Sequence, residues 1–104
     1  MATTPELDLY VIRRQNGWQT PQALQEGAAR SKHVGDDLMS DDIRWIRSYV
    51  IKEHDGSLGT VCIYEASSPT KIQEHAHRAG IPATDVYPVL DTVFVRPDPQ
   101  PVAA

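Results

Sequence analysis

Of the three hydroxyl-proline pairs in this chain, the two that precede segments with helical spacing constrain the fold more than any other sequence feature. These two pairs are Thr20-Pro21 and Ser68-Pro69. A hydroxyl at a helix start accepts a free backbone N–H, and proline is tolerated at the first helical position because an N–H there would have no partner. The two pairs therefore predict two helices, separated by a segment of other structure.

The segments around these helix starts are rich in β-branched and aromatic residues and alternate in polarity, which is typical of strands. The predicted strands span residues 7–13, 43–52, 60–65 and 89–96. Polar residues and a glycine in the segment 53–57 favour a hairpin between the second and third strands. The element order β-α-β-β-α-β predicts a ferredoxin-like α+β fold, an antiparallel four-stranded sheet with both helices on one face.

The helices differ in how clearly they end. The first presents a narrow stripe of small residues, and Gly35 with the Asp36-Asp37 pair makes its last turn irregular. The second spans 69–79, with Gly80 as the natural end and Pro82 preventing continuation. The stripe of the second helix that faces the sheet consists of Ile72, His75, Ala76 and Ala79.

The sheet face without helices needs another cover. We expect it to carry Trp45, Arg47 and Tyr49 from the second strand and Tyr10 and Ile12 from the first, with Leu7, Leu9 and Val11 on the other face of the first strand. An aromatic face of this kind is too apolar to leave in water. A homodimer stacked through this open face, of the dimeric α+β-barrel type, is therefore expected.

Length and composition set the remaining bounds. The chain has 104 residues and is interpreted as one domain, with a core at about 7–96 and tails at 1–6 and 97–104. The net charge of −4 disfavours nucleic acid as a partner. No apolar stretch approaches the roughly 20 residues of a membrane span, so we expect a cytoplasmic protein without a membrane partner. The single cysteine, Cys62, is expected to be an inert buried thiol.

Three blocks of the chain resemble a family of small bacterial proteins, first catalogued as a domain of unknown function and often labelled nickel-binding protein. The blocks are residues 43–50, 61–66 and 74–83. The resemblance implies a ferredoxin-like fold, a homodimer and, for at least one characterised member, bound nickel. The chain departs from the family pattern at Arg47, where many relatives have His, and at His77, where many have Arg.

The expected metal donors are histidines and carboxylates, which nickel accepts together. The candidates are His75, His77, Glu74, Glu65 and His33. Residues two apart on a helix point about 200° apart, so His75 and His77 cannot share one ion. Glu74 with His77, and His33 with Asp36 or Asp37, have the i,i+3 or i,i+4 spacing that brings side chains together. His54, in the polar turn, is expected to be an exposed side chain only.

These features leave three functions open. The first is a non-catalytic homodimer that binds nickel or another divalent transition metal. The alternative is a dimeric α+β-barrel enzyme or carrier, with a small flat organic ligand in a cleft between sheet and helices. In that alternative His75 is the general acid or base, Arg47 and Tyr49 orient the ligand, and Trp45 and Tyr10 complete its aromatic walls. A module whose only task is association with another protein is a third possibility.

Overall fold

The sheet and its two helices follow the predicted order in the computed structural model, which describes residues 6–100. The strands are β1 (Asp8–Trp18), β2 (Ile43–Lys52), β3 (Leu58–Ala66) and β4 (Asp85–Pro88); the helices are α1 (Pro21–His33) and α2 (Pro69–Ala79). The strand order in the sheet is β2-β3-β1-β4, with every neighbouring pair antiparallel. The ferredoxin-like α+β fold class predicted from the sequence is therefore confirmed.

Both helices begin where the hydroxyl-proline pairs predict. The Thr20 hydroxyl accepts a hydrogen bond from the Ala23 N–H at 3.1 Å, and the Ser68 hydroxyl accepts one from the Lys71 N–H at 3.3 Å. α2 ends at Gly80, whose φ of 68° is the left-handed conformation that glycine adopts without strain. The predicted sheet-facing stripe of α2 is buried.

α1 does not stop cleanly at its last regular residue. One π-helical turn, Val34–Leu38, continues from His33. Gly35 is buried in this turn, whereas Asp36, Asp37 and Leu38 are exposed. The irregular last turn that the glycine and the acidic pair indicate is therefore present as a change of helix type.

The open-face prediction for β1 is wrong. Tyr10 and Ile12 are buried at 5% and 0% exposure and belong to the core beneath the helices, while Leu9 and Val11 alternate onto the other face. Strand alternation divides side chains into two sets but does not say which set faces the helices. In this chain the set that faces the helices is Tyr10, Ile12 and Arg14.

Because of a β-bulge in β2, the open-face prediction is wrong for Trp45 and right for Arg47 and Tyr49. Trp45 pairs with Tyr64 but Arg47 pairs with Ile63, so the register shifts between them. Trp45 consequently lies on the helix side and stacks on Tyr64, whereas Arg47 and Tyr49 lie on the open face. A bulge inserts one extra residue and reverses the alternation after it, which period-two reasoning cannot anticipate.

The fourth strand lies earlier than predicted. The expected strand over 89–96 is wrong, because β4 is the four-residue run Asp85–Pro88, which pairs with residues 10–13 of β1. The Val89 N–H still donates to the Leu9 carbonyl at 2.9 Å, but no strand follows it as far as residue 100. The apolar residues of 89–96 resemble a strand in sequence, yet Val93 and Phe94 are exposed.

β1 is longer than the predicted 7–13. It continues through Asn16 to Trp18, with a register shift against β3 between Arg14 and Trp18. Asn16 adopts a φ of 50°, which an asparagine tolerates better than most residues. The expected loop around Asn16-Gly17 is therefore an irregular part of the strand, and it brings Trp18 back to the core.

No helix within residues 6–100 has both the length and the apolar character needed to cross a membrane.

The N-cap of α1 gives a direct test of the helix assignment. Replacing Thr20 with Ala removes the acceptor for the Ala23 N–H and should lower the free energy of unfolding by about 1 kcal/mol. Thr70→Ala, at an exposed position in the first turn of α2, removes no capping acceptor and should change the free energy of unfolding by less than about 0.5 kcal/mol. Urea unfolding at one fixed protein concentration measures both; equal losses in the two variants would contradict the capping role.

Candidate functional site

A buried polar cluster joins both helices to the sheet at His75. The imidazole is 1% exposed, and its Nε2 lies 3.0 Å from the Ser31 carbonyl oxygen of α1. Since a carbonyl only accepts, Nε2 carries the proton in this contact. Nδ1 then holds a lone pair, and it has no hydrogen-bond partner among the described residues.

The charge state of His75 follows from its surroundings. Burial lowers its pKa, the hydrogen bond to the Ser31 carbonyl opposes this to a lesser degree, and the Arg14 guanidinium lowers it further. The cationic form is disfavoured because it would lose its hydration inside the core. His75 is therefore a neutral imidazole at pH 7.

Tyr64 is the contact shared by this cluster. Its hydroxyl lies 2.7 Å from the Ser31 hydroxyl, and its ring lies 5.3 Å, centroid to centroid, from the His75 ring. Trp45 stacks on it in parallel at 5.8 Å, and the Arg14 guanidinium carbon lies 5.7 Å from the ring centroid. Burial raises the Tyr64 pKa, so the phenol stays protonated.

Two predicted carboxylate donors already have cationic partners. Glu74 lies 3.4 Å from the Lys71 ammonium and 3.3 Å from the Arg78 guanidinium. Glu65 lies 3.8 Å from Arg44. Glu65 also follows Tyr64 in β3, so alternation places it on the open face, on the other side of the sheet from His75.

The predicted pairing of His33 with the acidic residues after it is present. The His33 Nδ1 lies 2.8 Å from a carboxylate oxygen of Asp37, one helical turn away, and both side chains are exposed. Asp36 instead bonds the Lys32 ammonium at 2.6 Å. One nitrogen and one oxygen that can bind a metal thus lie side by side where α1 joins the π-helical turn.

The remaining histidines and the cysteine belong neither to the His75 cluster nor to the His33–Asp37 pair. His77 and His54 are exposed, and Cys62 is a free buried thiol whose Sγ lies 3.3 Å from the Thr60 hydroxyl. Within residues 6–100, no group of three or more His, Cys, Asp or Glu side chains is placed to hold a metal ion. The donors predicted from the sequence do not converge on one point of the described chain.

The open face carries a different cluster. The Asp98 carboxylate accepts hydrogen bonds from the Tyr49 hydroxyl at 2.6 Å and from the Arg47 guanidinium at 3.0 Å. These two contacts, the Tyr49 bond first, lower the pKa of Asp98. The segment 89–98 thereby runs across the open face and encloses a concavity of about 480 Å³. The enzymatic alternative needs three residues in one cleft. His75 lies on the helix side of the sheet, whereas Arg47 and Tyr49 lie on the open face, so the three do not form one cleft.

A second concavity lies between α1 and the sheet, with a volume of about 140 Å³. Its walls include Trp18, Trp45 and Tyr64, and Arg14 lines it. Arg14 was not among the residues predicted for the site. Alternation places it on the same face of β1 as Tyr10 and Ile12, but it does not say that this face lies beneath the helices.

The molecule thus belongs to the ferredoxin-like α+β class, with a buried imidazole, an exposed histidine–aspartate pair and two concavities. The model of the family "Nickel responsive protein SCO4226-like" matches residues 10–89. The chain belongs to that family, as its three resembling blocks indicate. Neither a curated protein nor a solved structure gives a significant match.

The lowered pKa of His75 predicts how stability depends on pH. The unfolded chain takes up the proton near pH 6.5 and the folded chain only at lower pH, so unfolding becomes easier as the pH falls below about 6.5. His75 contributes up to about 1.4 kcal/mol per pH unit there. His75→Gln should flatten the dependence of the free energy of unfolding between about pH 7.5 and about 5.5.

The control is His77→Gln, which alters an exposed histidine two residues away on α2 and should keep the wild-type pH dependence. Urea unfolding at each pH, at a single protein concentration, provides the curves. Parallel curves for the wild type and His75→Gln would show that burial does not hold the imidazole neutral.

Proposed function

We propose that this chain is a non-catalytic nickel-binding protein that acts as a homodimer. Membership of the nickel-responsive family over residues 10–89 supports the metal. The observation that carries the proposal is the exposed His33–Asp37 pair, with its donor atoms 2.8 Å apart. The proposed location is the cytoplasm, which suits a chain whose single cysteine, Cys62, is free.

The chemistry of this pair suits a borderline divalent cation. Imidazole nitrogen is a preferred donor for nickel, and a carboxylate oxygen can complete part of its shell. Both side chains are solvent-exposed, so a hydrated ion reaches them without unfolding. When bound, the metal would replace the hydrogen bond between Nδ1 and the carboxylate, and His33 would bind it as the neutral imidazole.

The other proposed donors are less favourable as they stand. The Nδ1 lone pair of His75 is buried, has no hydrogen-bond partner among residues 6–100, and belongs to no group of three or more metal donors there. His77 is accessible, but the adjacent Glu74 must first leave Lys71 and Arg78. Two protein donors from His33 and Asp37 therefore form the first contact, and water supplies the other ligands.

Isothermal titration of tag-free protein with Ni²⁺ tests the pair. We expect binding tighter than about 1 mM in the wild type. His33→Ala should weaken it by about tenfold or more, because it removes the nitrogen donor.

His54→Ala is the matched control, since it removes an exposed histidine from the turn between β2 and β3. It should bind as the wild type does. Absence of Ni²⁺ binding in the wild type, or equal affinities for the wild type and His33→Ala, would exclude this pair as the site.

The homodimer is proposed through the open face together with the segment 89–98, and its support is exposed apolar surface. Four large apolar side chains project from six consecutive residues of that segment, each at least 73% exposed: Leu90, Val93, Val95 and Phe94. Monomeric proteins rarely leave a contiguous patch of this kind in water. A second copy of the chain, related by a twofold axis, would present the same surface and cover it.

Placing a charge in this surface should therefore separate the subunits. Phe94→Asp is expected to convert a dimer to a monomer, because large aromatic side chains dominate the energetics of interfaces. Leu38→Asp, at a 51% exposed residue on the π-helical turn, is the control and should remain dimeric. Sedimentation velocity gives both masses; a monomeric wild type, or a dimeric Phe94→Asp protein, would contradict the proposal.

A further inference from the structure

The cavity between α1 and the sheet has an almost wholly apolar surface. Both tryptophans of the chain, Trp18 and Trp45, line it together with Tyr64. Water needs several polar partners to fill a cavity stably, so this surface favours an apolar occupant over water. Aliphatic side chains complete the lining: Leu24, Ala28, Val50 and Ile81.

The polar residues around the cavity have their polar atoms engaged or buried. The Ser31 hydroxyl lies 2.7 Å from the Tyr64 hydroxyl, and the Ser48 hydroxyl accepts a hydrogen bond from the Trp45 indole at 2.8 Å. Arg14 is 1% exposed, so its charge is covered by the side chains around it. The lining therefore offers a ligand almost no hydrogen bonds, and a ligand that needs them would lose its hydration without compensation.

The size of the cavity and its opening restrict what can enter. Its volume is about 140 Å³, and an apolar cavity of about 150 Å³ accommodates benzene. A Cβ on Gly27 would lie 2.7 Å from the Trp18 indole nitrogen, so the absent side chain lets this wall approach α1. Gln25 of α1 and Val50 of β2 line the cavity and are exposed, so a small molecule enters without unfolding of the chain.

We propose that this cavity binds a small uncharged ligand, a monocyclic aromatic hydrocarbon, with its ring against the aromatic walls. Transfer of such a ring from water to an apolar surface is favourable, and contacts between aromatic rings add to it. An anion or a sugar would lose more hydration than the cavity returns. His33, Asp37 and Phe94 do not line the cavity, so this proposal rests neither on nickel binding nor on the homodimer.

Benzene is the probe, and pyrimidine is its match in ring shape. The ring nitrogens of pyrimidine accept hydrogen bonds from water and would lose them in the cavity. Tryptophan fluorescence reports binding directly, because both tryptophans line the cavity, and thermal shift provides a second measurement. Chelator is present throughout, which removes metal from the result.

We expect benzene to change the fluorescence, to raise the melting temperature and to bind about tenfold or more tightly than pyrimidine. Absence of benzene binding at about 10 mM, or equal binding of benzene and pyrimidine, would overturn the proposal.

Two variants assign the binding to this cavity. Ala28→Leu adds carbon atoms to a residue of the lining and should weaken benzene binding by about tenfold or more. Ala29→Leu makes the same change at the next residue of α1, which is exposed and outside the lining, and should bind benzene as the wild type does. Unchanged benzene binding in Ala28→Leu would place the ligand elsewhere and overturn the proposal. The comparison of benzene with pyrimidine on the wild type remains decisive if Ala28→Leu does not fold.

Discussion

Tyr64 packs against the sheet-facing sides of both helices, and the arrangement of the helices on the sheet depends on this contact. Its hydroxyl meets Ser31 of α1 and its ring meets His75 of α2, while Trp45 covers the ring from the neighbouring strand. A buried phenol needs a partner for its hydroxyl, and the Ser31 side chain provides it at 2.7 Å. The inward direction of Tyr64 also decides that Arg14, on the adjacent strand, lies beneath the helices.

The fold could be predicted from local signals because those signals act within a few residues. Thr20-Pro21 and Ser68-Pro69 define the helix starts by capping chemistry, and Gly80 defines the end of α2 by its left-handed backbone. The hairpin of β2 and β3 follows from a polar turn between two apolar runs. Such features depend on the chain itself and not on what packs against it.

The parts that could not be predicted depend on distant partners. The bulge after Trp45 exists only in the pairing of β2 with β3, and it separates Trp45 from Arg47 across the sheet. The choice of Asp85–Pro88 over the more apolar 89–96 as β4 depends on where β1 offers free hydrogen bonds. The candidate site was predicted in part for the same reason: the i,i+4 contact of His33 with Asp37 is local, while the burial of Arg14 is not.

The exposed end of α1 and the interior between the helices and the sheet offer different chemistry. His33 and Asp37 form an exposed polar pair that suits a hydrated cation, whereas Arg14 and His75 are buried beneath the helices. The imidazole of His75 takes no part in the exposed pair and donates to the Ser31 carbonyl, which joins α2 to α1. Stability and the proposed metal binding are in this account separate properties of separate residues.

The central claim is that Tyr64 joins both helices to the sheet, with its hydroxyl bonded to Ser31. The free energy of unfolding of Tyr64→Phe, measured in urea beside the wild type, tests it most directly. The account predicts a loss of about 1 kcal/mol or more, because the variant takes this partner from the buried Ser31 hydroxyl. An unchanged free energy of unfolding would contradict it.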